Sequence, residues 1–220
     1  MSAPAAVAVA LVAFAVGVNL WFLFEYLLHR FAMHHLHGRG IMSREHLEHH
    51  VTAGWTFSHT HILSWLGVGL VGAALWLPIG WWIGGLWGTQ ALVAIPLALG
   101  WPAGYAFYEY EHAMCHLRPP RTRYQRWVRK HHFQHHFGAP MRNQGVSIGV
   151  WDRVFGTNDD PDKVRVPRRL AAGLGWILGD DGELREEFTD DYVLVGSFDV
   201  SDRQAGIDRA KAFASQVPDA

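Results

Sequence analysis

Cysteine is almost absent from the chain: Cys115 is the one cysteine among 220 residues. A single cysteine excludes an intrachain disulfide and says nothing about the redox compartment. It also disfavours a structural zinc site, because such sites hold four tetrahedral ligands that usually include thiolates. Any metal site in this chain is therefore expected to use other ligands.

Charged side chains are missing from two long stretches, Met1–Phe24 and His49–Tyr108. A membrane-spanning helix needs about 20 apolar residues. The first stretch is too long for the core of a secretory leader and lacks the basic start of one, so we expect a span there. The second stretch is long enough for two spans. The three expected spans cover residues 3–24, 62–77 and 89–107.

Proline, glycine and tryptophan divide the second stretch. The segment from Pro78 to Gly88 is rich in all three, and tryptophan favours the membrane–water interface, so this segment is predicted to be a turn between two spans. Pro96 and Pro102 are expected to kink the third span without ending it, since neighbouring helices can satisfy the freed backbone groups.

The net charge of −1 hides an asymmetry, because residues 1–156 carry +5 and the remainder carries −6. This difference predicts a membrane domain over residues 1–157 and an acidic, soluble tail over residues 158–220. The tail is expected to be a solvated appendage. Within it, the pattern indicates a strand at Tyr192–Val195 and a helix at Ser201–Val217.

Basic residues flank the expected spans on one side. Arginines follow the first and third spans, whereas the amino terminus and the Trp-rich turn carry none. The positive-inside rule then places the amino terminus outside, and the active site and carboxyl terminus in the cytoplasm. All 15 histidines fall on the cytoplasmic side. The expected fold is an all-α integral membrane protein with three transmembrane helices, a cytoplasmic cap of histidine-bearing helices and a small polar C-terminal tail.

Histidine is present in excess, and ten of the 15 recur at spacings that suit metal ligands. Neutral imidazole is the commonest metal ligand in proteins, and residues three or four apart share one face of a helix. His132, His135 and His136 are therefore expected to aim together, while His131 points elsewhere. The ten candidates are His29, His34, His46, His49, His50, His112, His116, His132, His135 and His136.

The candidate ligands occur in short clusters, called histidine boxes below. Two further boxes have spacings that can be compared with the requirements of a helix. His46, His49 and His50 repeat the spacing of three and four and are predicted to share a face. His29 and His34 are five apart, about 140° around an α-helix, so they serve one site only if the helix loosens, or else face two metals. Ten imidazoles exceed the needs of one metal, and two metals with four to six ligands each fit the count. Nitrogen-rich ligation suits iron, copper or zinc.

Metal-bound histidines usually donate the proton of the second ring nitrogen to an acceptor. Five carboxylates near the boxes are candidates for that role: Glu25, Glu48, Glu109, Glu111 and Asp152. Three further histidines are expected at the edge of the site: His59, His61 and His131.

The histidine boxes occur in a set order, with expected spans between them. They read Glu25-Tyr-Leu-Leu-His29-Arg-Phe-Ala-Met-His34, His46-Leu-Glu-His49-His50, Tyr108-Glu-Tyr-Glu-His112-Ala-Met-Cys-His116 and His131-His132-Phe-Gln-His135-His136-Phe, and they precede Gly145-Val-Ser, Trp151-Asp152 and Phe155-Gly156-Thr157. Over about residues 20–157 this arrangement resembles the fatty acid hydroxylase/sterol desaturase superfamily, and most of all its fatty acid 2-hydroxylase type.

The resemblance implies a membrane-bound, non-haem di-iron oxidoreductase that uses O₂ to hydroxylate a fatty acid or the acyl chain of a membrane lipid. It implies that the ten box histidines hold two iron ions, and that zinc can occupy the same positions in purified protein. Many such hydroxylases carry a fused cytochrome domain that this sequence does not show, so a separate electron-donor protein is expected. No nucleic-acid partner is expected.

Two alternatives stay open. Carotenoid ring hydroxylases have similar histidine spacings, so ring hydroxylation, or oxidation or desaturation of a sterol, is the alternative within the superfamily. A membrane metal transporter is a distant alternative, because transporters place ionisable ligands at mid-membrane, whereas the expected spans contain no histidine.

Overall fold

The computed structural model describes residues 1–216, which fold mainly into helices. The helices are α1 (Ala3–Leu27), α2 (Ile41–Thr52), α3 (His59–Gly85), α4 (Gln90–Leu117), α5 (Arg123–Phe133), α6 (Val150–Val154), α7 (Arg168–Ala171) and α8 (Asp202–Phe213), and the strands are β1 (Val164–Pro167) and β2 (Tyr192–Val195). Two π-helical turns, Leu28–His34 and Gln134–Gly138, extend α1 and α5, and two short 3-10 turns are Ala172–Leu174 and Glu186–Phe188.

Within the described residues, three helical segments are long and apolar enough to cross a membrane, which confirms the predicted number. They are Ala3–His34, His59–Gly85 and Gln90–Leu117. Pro96 and Pro102 lie inside α4, as expected. The predicted turn was wrong from Pro78 to Gly85, where α3 continues as helix. A proline removes one hydrogen bond that the surroundings of such a helix can replace, so the chain turns only after Gly85.

The chain forms two compact units. Unit one consists of Met1–Phe24 and Thr56–Glu109, and unit two consists of Glu25–Trp55 and the chain from Tyr110 onward. Most of the apolar, charge-free sequence therefore lies in unit one. All ten candidate ligands lie in unit two.

Unit one brings two helix backbones into contact at a pair of glycines. A Cβ atom on Gly17 of α1 would lie 2.2 Å from the carbonyl oxygen of Leu97, and a Cβ atom on Gly100 of α4 would lie 2.2 Å from that of Phe14. Small residues permit this approach, which supplies the van der Waals packing on which helix association in lipid depends. Any larger side chain at either position must separate α1 from α4.

We expect Gly100→Val to lower the free energy of unfolding by about 3 kcal/mol, the upper end of the usual cost of overpacking, because its Cβ would meet backbone and not a flexible side chain. The melting temperature of the detergent-solubilised protein measures the effect. Gly69→Val is the matched control, since it makes the same change in α3 at a position where a Cβ meets nothing within 4 Å. Equal melting temperatures for the two variants would contradict the close crossing.

Unit two has a core in which α5 packs with the small sheet and its flanking turns. Strands β1 and β2 pair in parallel, with Val164 opposite Tyr192, and the strand predicted at Tyr192–Val195 is confirmed. The buried apolar cluster contains Ala53, Cys115, Val128, Phe133, Phe137, Val164, Val166, Leu170, Ala171, Leu174, Trp176, Ile177, Phe188 and Tyr192.

The structure differs from the expectation that residues after 158 form a solvated appendage. The indole N–H of Trp176 donates to the carbonyl oxygen of Cys115 at 3.0 Å, and the ring of Trp176 stacks on Phe133 with centroids 5.8 Å apart. The large apolar residues of this segment are separated by acidic ones, so the segment is polar on average although some of its side chains are buried. The division into a membrane domain and a soluble tail at residue 157 stays a prediction.

The predicted C-terminal helix is present as α8, from Asp202 to Phe213. Ser201 is its N-cap, and its hydroxyl accepts the backbone N–H of Gln204 at 3.2 Å, which is the usual role of serine at this position. The prediction that the helix continues beyond Phe213 was wrong for residues 214–216, which are not helical, and its predicted end, Val217, lies outside the described residues.

Candidate metal centre

The ten candidate ligands converge in two groups of five among the described residues. Within each group, one potential ligand atom per residue lies within 4.8 Å of every other. Every member is buried except His49, which is partly buried. Group one is His29, His34, His46, His50 and His135, and group two is His49, His112, His116, His132 and His136. Each group could hold a metal ion.

Helical spacing decides the group to which each histidine belongs. His46 and His50 are four apart on α2 and both enter group one, whereas His49, three after His46, enters group two. These three histidines were predicted to share one face, and that prediction was wrong for His49. A separation of three turns a side chain about 60° short of a full turn, and four turns it about 40° past one, so His49 and His50 diverge by about 100°.

The same division occurs in the fourth histidine box, the heptapeptide from His131 to Phe137. His132 and His136 enter group two, but His135 enters group one, so the prediction that they aim together was wrong for His135. His50 and His136 link the groups, because their rings stack with centroids 4.1 Å apart and an interplanar angle of 11°. The two groups are therefore neighbours that share helices and a stacked pair.

A loosened helix explains how His29 and His34 reach the same group although they are five apart. The segment Leu28–His34 is π-helical, and at its end the backbone N–H of His35 bonds to the carbonyl oxygen of Arg30 at 3.2 Å. In a π-helix, residues five apart are hydrogen-bonded neighbours. Of the two alternatives raised by the spacing, loosening of the helix is the one that the structure has.

Backbone carbonyl groups fix the orientation of several of these rings. In group one, Nδ1 of His29 lies 2.6 Å from the carbonyl oxygen of Gln144, and Nδ1 of His135 lies 2.8 Å from that of Arg142. In group two, the corresponding pairs are His49 with Gly54 at 2.7 Å and His116 with Ala53 at 2.8 Å. A carbonyl oxygen only accepts, so each of these Nδ1 atoms carries the proton, and each Nε2 atom keeps a lone pair.

The Nε2 atoms of each group point at one another. In group one, five pairs of Nε2 atoms are 2.9–3.1 Å apart. In group two, the Nε2 atoms of His49 and His112 are 3.0 Å apart, and those of His116 and His132 are 2.9 Å apart. At least two members of each group bring an unprotonated Nε2, and converging lone pairs repel unless a cation lies between them. The donor set therefore fits a bound metal ion in each group.

The spacing of these atoms also indicates the coordination geometry. With metal–nitrogen distances of about 2.1 Å, two ligands at right angles are about 3.0 Å apart, whereas tetrahedral ligands are about 3.4 Å apart. The observed 2.9–3.1 Å therefore fits right angles. Nitrogen donors of this kind suit iron, copper or zinc.

Burial keeps the imidazoles in the neutral form that ligation needs. Removal from water, and then the neighbouring imidazoles, lower the pKa values of His46, His50, His132 and His136 well below the ordinary value. A lowered pKa leaves these rings unprotonated at neutral pH. Neutral imidazole is the form that binds metals.

Strained backbone recurs where the ring acceptors lie. Four described residues other than glycine have positive φ, and two of them lie at or beside these acceptors: Ala53 (φ 52°) and Asn143 (φ 53°). The carbonyl group of Ala53 is itself an acceptor, and Asn143 stands between the two residues whose carbonyl groups accept from group one. Such strain persists where surrounding structure enforces it, often at functional sites.

Two of the five predicted carboxylates organise the loop that supplies the group one acceptors. Asp152 accepts the backbone N–H groups of Gln144 at 2.7 Å and Gly145 at 2.8 Å. Glu25 accepts both the backbone N–H and the hydroxyl of Ser147 at 2.8 Å. They thus act one step further from the histidines than predicted.

The other three carboxylates have different neighbours. Glu48 forms an ion pair with Arg209, Glu111 is buried and faces the charge of Arg129, and Glu109 adjoins Tyr105 in unit one. The sequence missed the carbonyl acceptors because every residue has a carbonyl group, so no residue type marks them.

The three edge histidines fall outside both groups. His131 is buried, stacks on Trp127 with centroids 4.9 Å apart, and places Nε2 3.4 Å from the carboxylate of Asp152. His61 caps α3, since its Nδ1 accepts the backbone N–H of Ser58 at 3.0 Å, and His59 is exposed. Of the three, His131 is the one that contacts Asp152, whose carboxylate binds the backbone of the group one loop.

Asp152→Asn should destabilise unit two by about 1–3 kcal/mol, because one oxygen becomes an N–H₂ group and leaves a buried donor unpaired. Burial alone would raise the pKa of Asp152, but bonds from His131, Thr157 and Gly145 outweigh it and lower the pKa. The stabilisation is therefore complete at neutral pH and is lost only as the pH falls below about 4. Thermal unfolding at pH 7 measures it.

Asp160→Asn is the control for that prediction, since the side chain of Asp160 is 68% exposed. Its melting temperature should match that of the wild type. Equal melting temperatures for Asp152→Asn and the wild type would show that the loop does not depend on Asp152.

The comparisons with known proteins agree with the resemblance seen in the boxes. The family model described as fatty acid hydroxylase matches residues 14–157. Two dihydroceramide fatty acyl 2-hydroxylases of Arabidopsis thaliana are 30% and 28% identical over 146 and 152 residues, which cover 65% and 64% of this chain and 59% and 58% of theirs. A fatty acid 2-hydroxylase of Macaca fascicularis is 29% identical over 153 residues, 66% of this chain and 38% of its own.

The chain thus spans under two thirds of the length of each of these relatives. No solved structure matches it. The matched residues include all four histidine boxes, whose ten members form the two groups. The chain belongs to the fatty acid hydroxylase family.

Proposed function

We propose that this chain is a membrane-bound monooxygenase that hydroxylates a fatty acid or the acyl chain of a membrane lipid, using O₂ and two iron ions. The observation that carries the proposal is the pair of adjoining five-histidine groups, each with converging Nε2 atoms. An enzyme that attacks an unactivated C–H bond needs an oxidising metal centre, and two nitrogen-rich sites side by side are suited to one.

Iron fits these groups better than zinc does. All ten donors are nitrogen atoms, and the neighbouring Nε2 pairs are close to the separation of ligands at right angles, which suits octahedral ligation. Zinc prefers four tetrahedral ligands, although it can compete for the same nitrogen atoms in purified protein. We propose the five histidines of group one as ligands of one iron and the five of group two as ligands of the other.

The bound irons would supply the activation of O₂, and the protein contributes the setting. Nine of the ten rings are buried, so the groups exclude water. The carbonyl acceptors on Nδ1 hold four rings with Nε2 directed into the groups. A ligand set fixed in this way needs little rearrangement on metal binding.

The proposed substrate class is inferred from the names of the similar proteins. The three similar proteins are named as 2-hydroxylases of fatty acids or of the fatty acyl part of dihydroceramide. We propose an acyl chain as the substrate of this chain too, with carotenoid rings and sterols as the alternatives that a product analysis must separate. The three apolar helices fit an enzyme whose substrate resides in a bilayer.

Location and electron supply are further parts of the proposal. The arginines that follow the first and third spans favour an amino terminus outside and a cytoplasmic metal centre and carboxyl terminus. The family match over residues 14–157 supports a catalytic membrane domain over residues 1–157. Hydroxylation by O₂ consumes two electrons, and we propose a separate donor protein as their source.

Mass spectrometry of total lipids from a host that expresses the chain tests the function. A gain of one oxygen per acyl chain is expected. Loss of two hydrogens would make the chain a desaturase, and a change confined to carotenoids or sterols would assign it to another branch of the superfamily. No difference from a host with an empty vector, despite normal protein levels and an added reductase, would refute the proposal.

A further inference from the structure

The C-terminal helix reaches group one although it lies beyond the family match, which ends at residue 157. Ser215 follows α8 by two residues and is only 8% exposed. Its Oγ lies 3.3 Å from Nδ1 of His34 and 3.4 Å from the carbonyl oxygen of the same residue. A hydroxyl from the end of the chain therefore contacts a candidate metal ligand 181 residues earlier.

We propose that Ser215 is a positioning residue of group one, which it holds in a ligating arrangement through His34. The Ser215 hydroxyl donates its proton to the carbonyl oxygen of His34 and accepts the proton on Nδ1. That arrangement leaves Nε2 of His34 unprotonated, 2.9 Å from Nε2 of His46 and 3.1 Å from that of His135. This inference rests on the proposed function, because it assigns Ser215 to the retention of one of the two irons.

The backbone at Ser215 supports a role for its hydroxyl. Its φ is 54°, in the left-handed region that usually follows a helix end and that glycine occupies at least cost. A serine there carries strain that a glycine would not. The same conformation occurs at Ala53 and Asn143, which also adjoin acceptors for ligand rings.

Contacts along α8 hold Ser215 in place. The Nδ1 atom of His37 lies 3.1 Å from the carbonyl oxygen of Phe213, and the ring of Phe213 covers Gly38, where a Cβ would lie 2.6 Å from the ring. The ion pair between Arg209 and Glu48 attaches α8 to α2. These contacts lie on the segments that carry His34 and the α2 ligands, so α8 is attached to the scaffold of group one.

A small cavity lies between α8 and the two groups. Its lining includes His50 and His136, the stacked pair between the groups, together with Asp208 and Ala212 of α8. The buried carboxylate of Asp208 accepts two bonds from Arg169, at 2.5 and 2.9 Å. The helix thus lines a cavity that also touches one histidine of each group, but the hydrogen bond of Ser215, two residues after the helix, goes to group one.

Release of Fe²⁺ from the full-length protein tests the proposal without any measurement of activity. Wild-type protein and Ser215→Gly are loaded anaerobically with two Fe²⁺ per chain in detergent, and transfer of iron to ferrozine is followed by absorbance. Loss of the partner of a metal-bound histidine typically weakens metal binding by about 10–100-fold. We expect one of the two irons to leave Ser215→Gly about 10–100-fold faster than from the wild type, while the other leaves at the wild-type rate.

The choice of glycine separates this effect from misfolding. Glycine suits the positive φ of residue 215, so the melting temperature should change little. Ser215→Ala should release iron as fast as Ser215→Gly, because both lack the hydroxyl. Ser197→Ala, which changes an exposed serine, should release both irons at the wild-type rates.

Two backgrounds assign the effect to a group. His34→Ala should keep only the group two iron, so addition of Ser215→Gly should leave the release of that iron unchanged, whereas in the group two variant His112→Ala it should still speed the iron that remains in group one. Wild-type rates for both irons in Ser215→Gly, or equal acceleration of both, would overturn the role of Ser215. A wild-type protein that takes up no iron would overturn the proposed function itself, which is a distinguishable result.

Discussion

His50→Ala is expected to leave about one iron per chain where the wild type should hold two, and to reduce hydroxylated lipid by about 100-fold or more. His50 is buried, contributes one of the five nitrogens of group one and stacks on His136 of group two. Its loss removes a ligand and opens a gap between the groups, and metal sites lose affinity steeply when a ligand is removed. Metal analysis of anaerobically purified protein and mass spectrometry of lipids measure the two effects.

The companion variant is His116→Ala, which should lose the iron of group two and keep that of group one. His59→Ala is the matched control, because His59 is exposed and lies outside both groups. It should retain two irons and most of the product. Two irons in His50→Ala, or wild-type product in either ligand variant at normal protein levels, would refute the ligand assignment.

The sequence identified the residues of the site better than their arrangement. The ten histidines were found because imidazole at separations of three, four and five is rare without a metal, and this signal is local. Their division into two groups was not found. An ideal helix assigns His46 and His49 to one face, but the two groups lie so close together that residues of one face enter different groups. Residues five apart, such as His29 and His34, become hydrogen-bonded neighbours only in a π-helix.

The groups that orient the imidazole rings could not be identified from the sequence. The predicted carboxylates were chosen because a carboxylate is a recognisable acceptor, yet four rings donate to backbone carbonyl groups. A hint was available at Ala53, a small residue after α2, but only φ and ψ reveal that it ends the helix in the left-handed region. Asp152 and Glu25 were predicted to contact ligand rings directly, but they bind the loop that carries the group one acceptors.

The spans were predictable because they depend on composition alone. Long charge-free stretches give three helices, and the structure has three of sufficient length. The burial of the C-terminal segment was not predictable, because it depends on a few aromatic residues dispersed among acidic ones. Trp176, Phe188 and Tyr192 enter a core with Phe133 only after the chain has folded back, and nothing local encodes that contact.

A single buried arginine joins the two helices that carry most of group two. The side chain of Arg129 on α5 is among the most completely buried of the described residues. Its Nε donates to the carbonyl oxygen of Arg118 at 2.8 Å, Nη2 to that of Met114 at 2.8 Å and Nη1 to that of Gln125 at 3.1 Å. Met114 lies in the last turn of α4 and Arg118 directly follows that helix, so Arg129 binds the backbone at the end of α4.

Arg129→Met is expected to lower the free energy of unfolding by about 3–5 kcal/mol, because several buried carbonyl groups lose charged donors at once and buried Glu111 loses the positive charge that it faces. Arg126→Met is the control from the same helix. Arg126 pairs with Asp191 but its side chain is 44% exposed, so its loss should cost at most about 1 kcal/mol. Thermal unfolding of detergent-solubilised protein compares the two variants.

The arginine should also matter for metal binding. The end of α4 carries His116 and α5 carries His132, whose Nε2 atoms lie 2.9 Å apart in group two. Loosening the contact between these helices should therefore speed release of the group two iron and spare that of group one, the reverse of the effect expected for Ser215→Gly. Arg129→Lys should fall between, because one ammonium cannot reach all three carbonyl groups in the planar arrangement of a guanidinium. If Arg129→Met and Arg126→Met were equally stable and released iron alike, Arg129 would not be what holds α4 and α5 together.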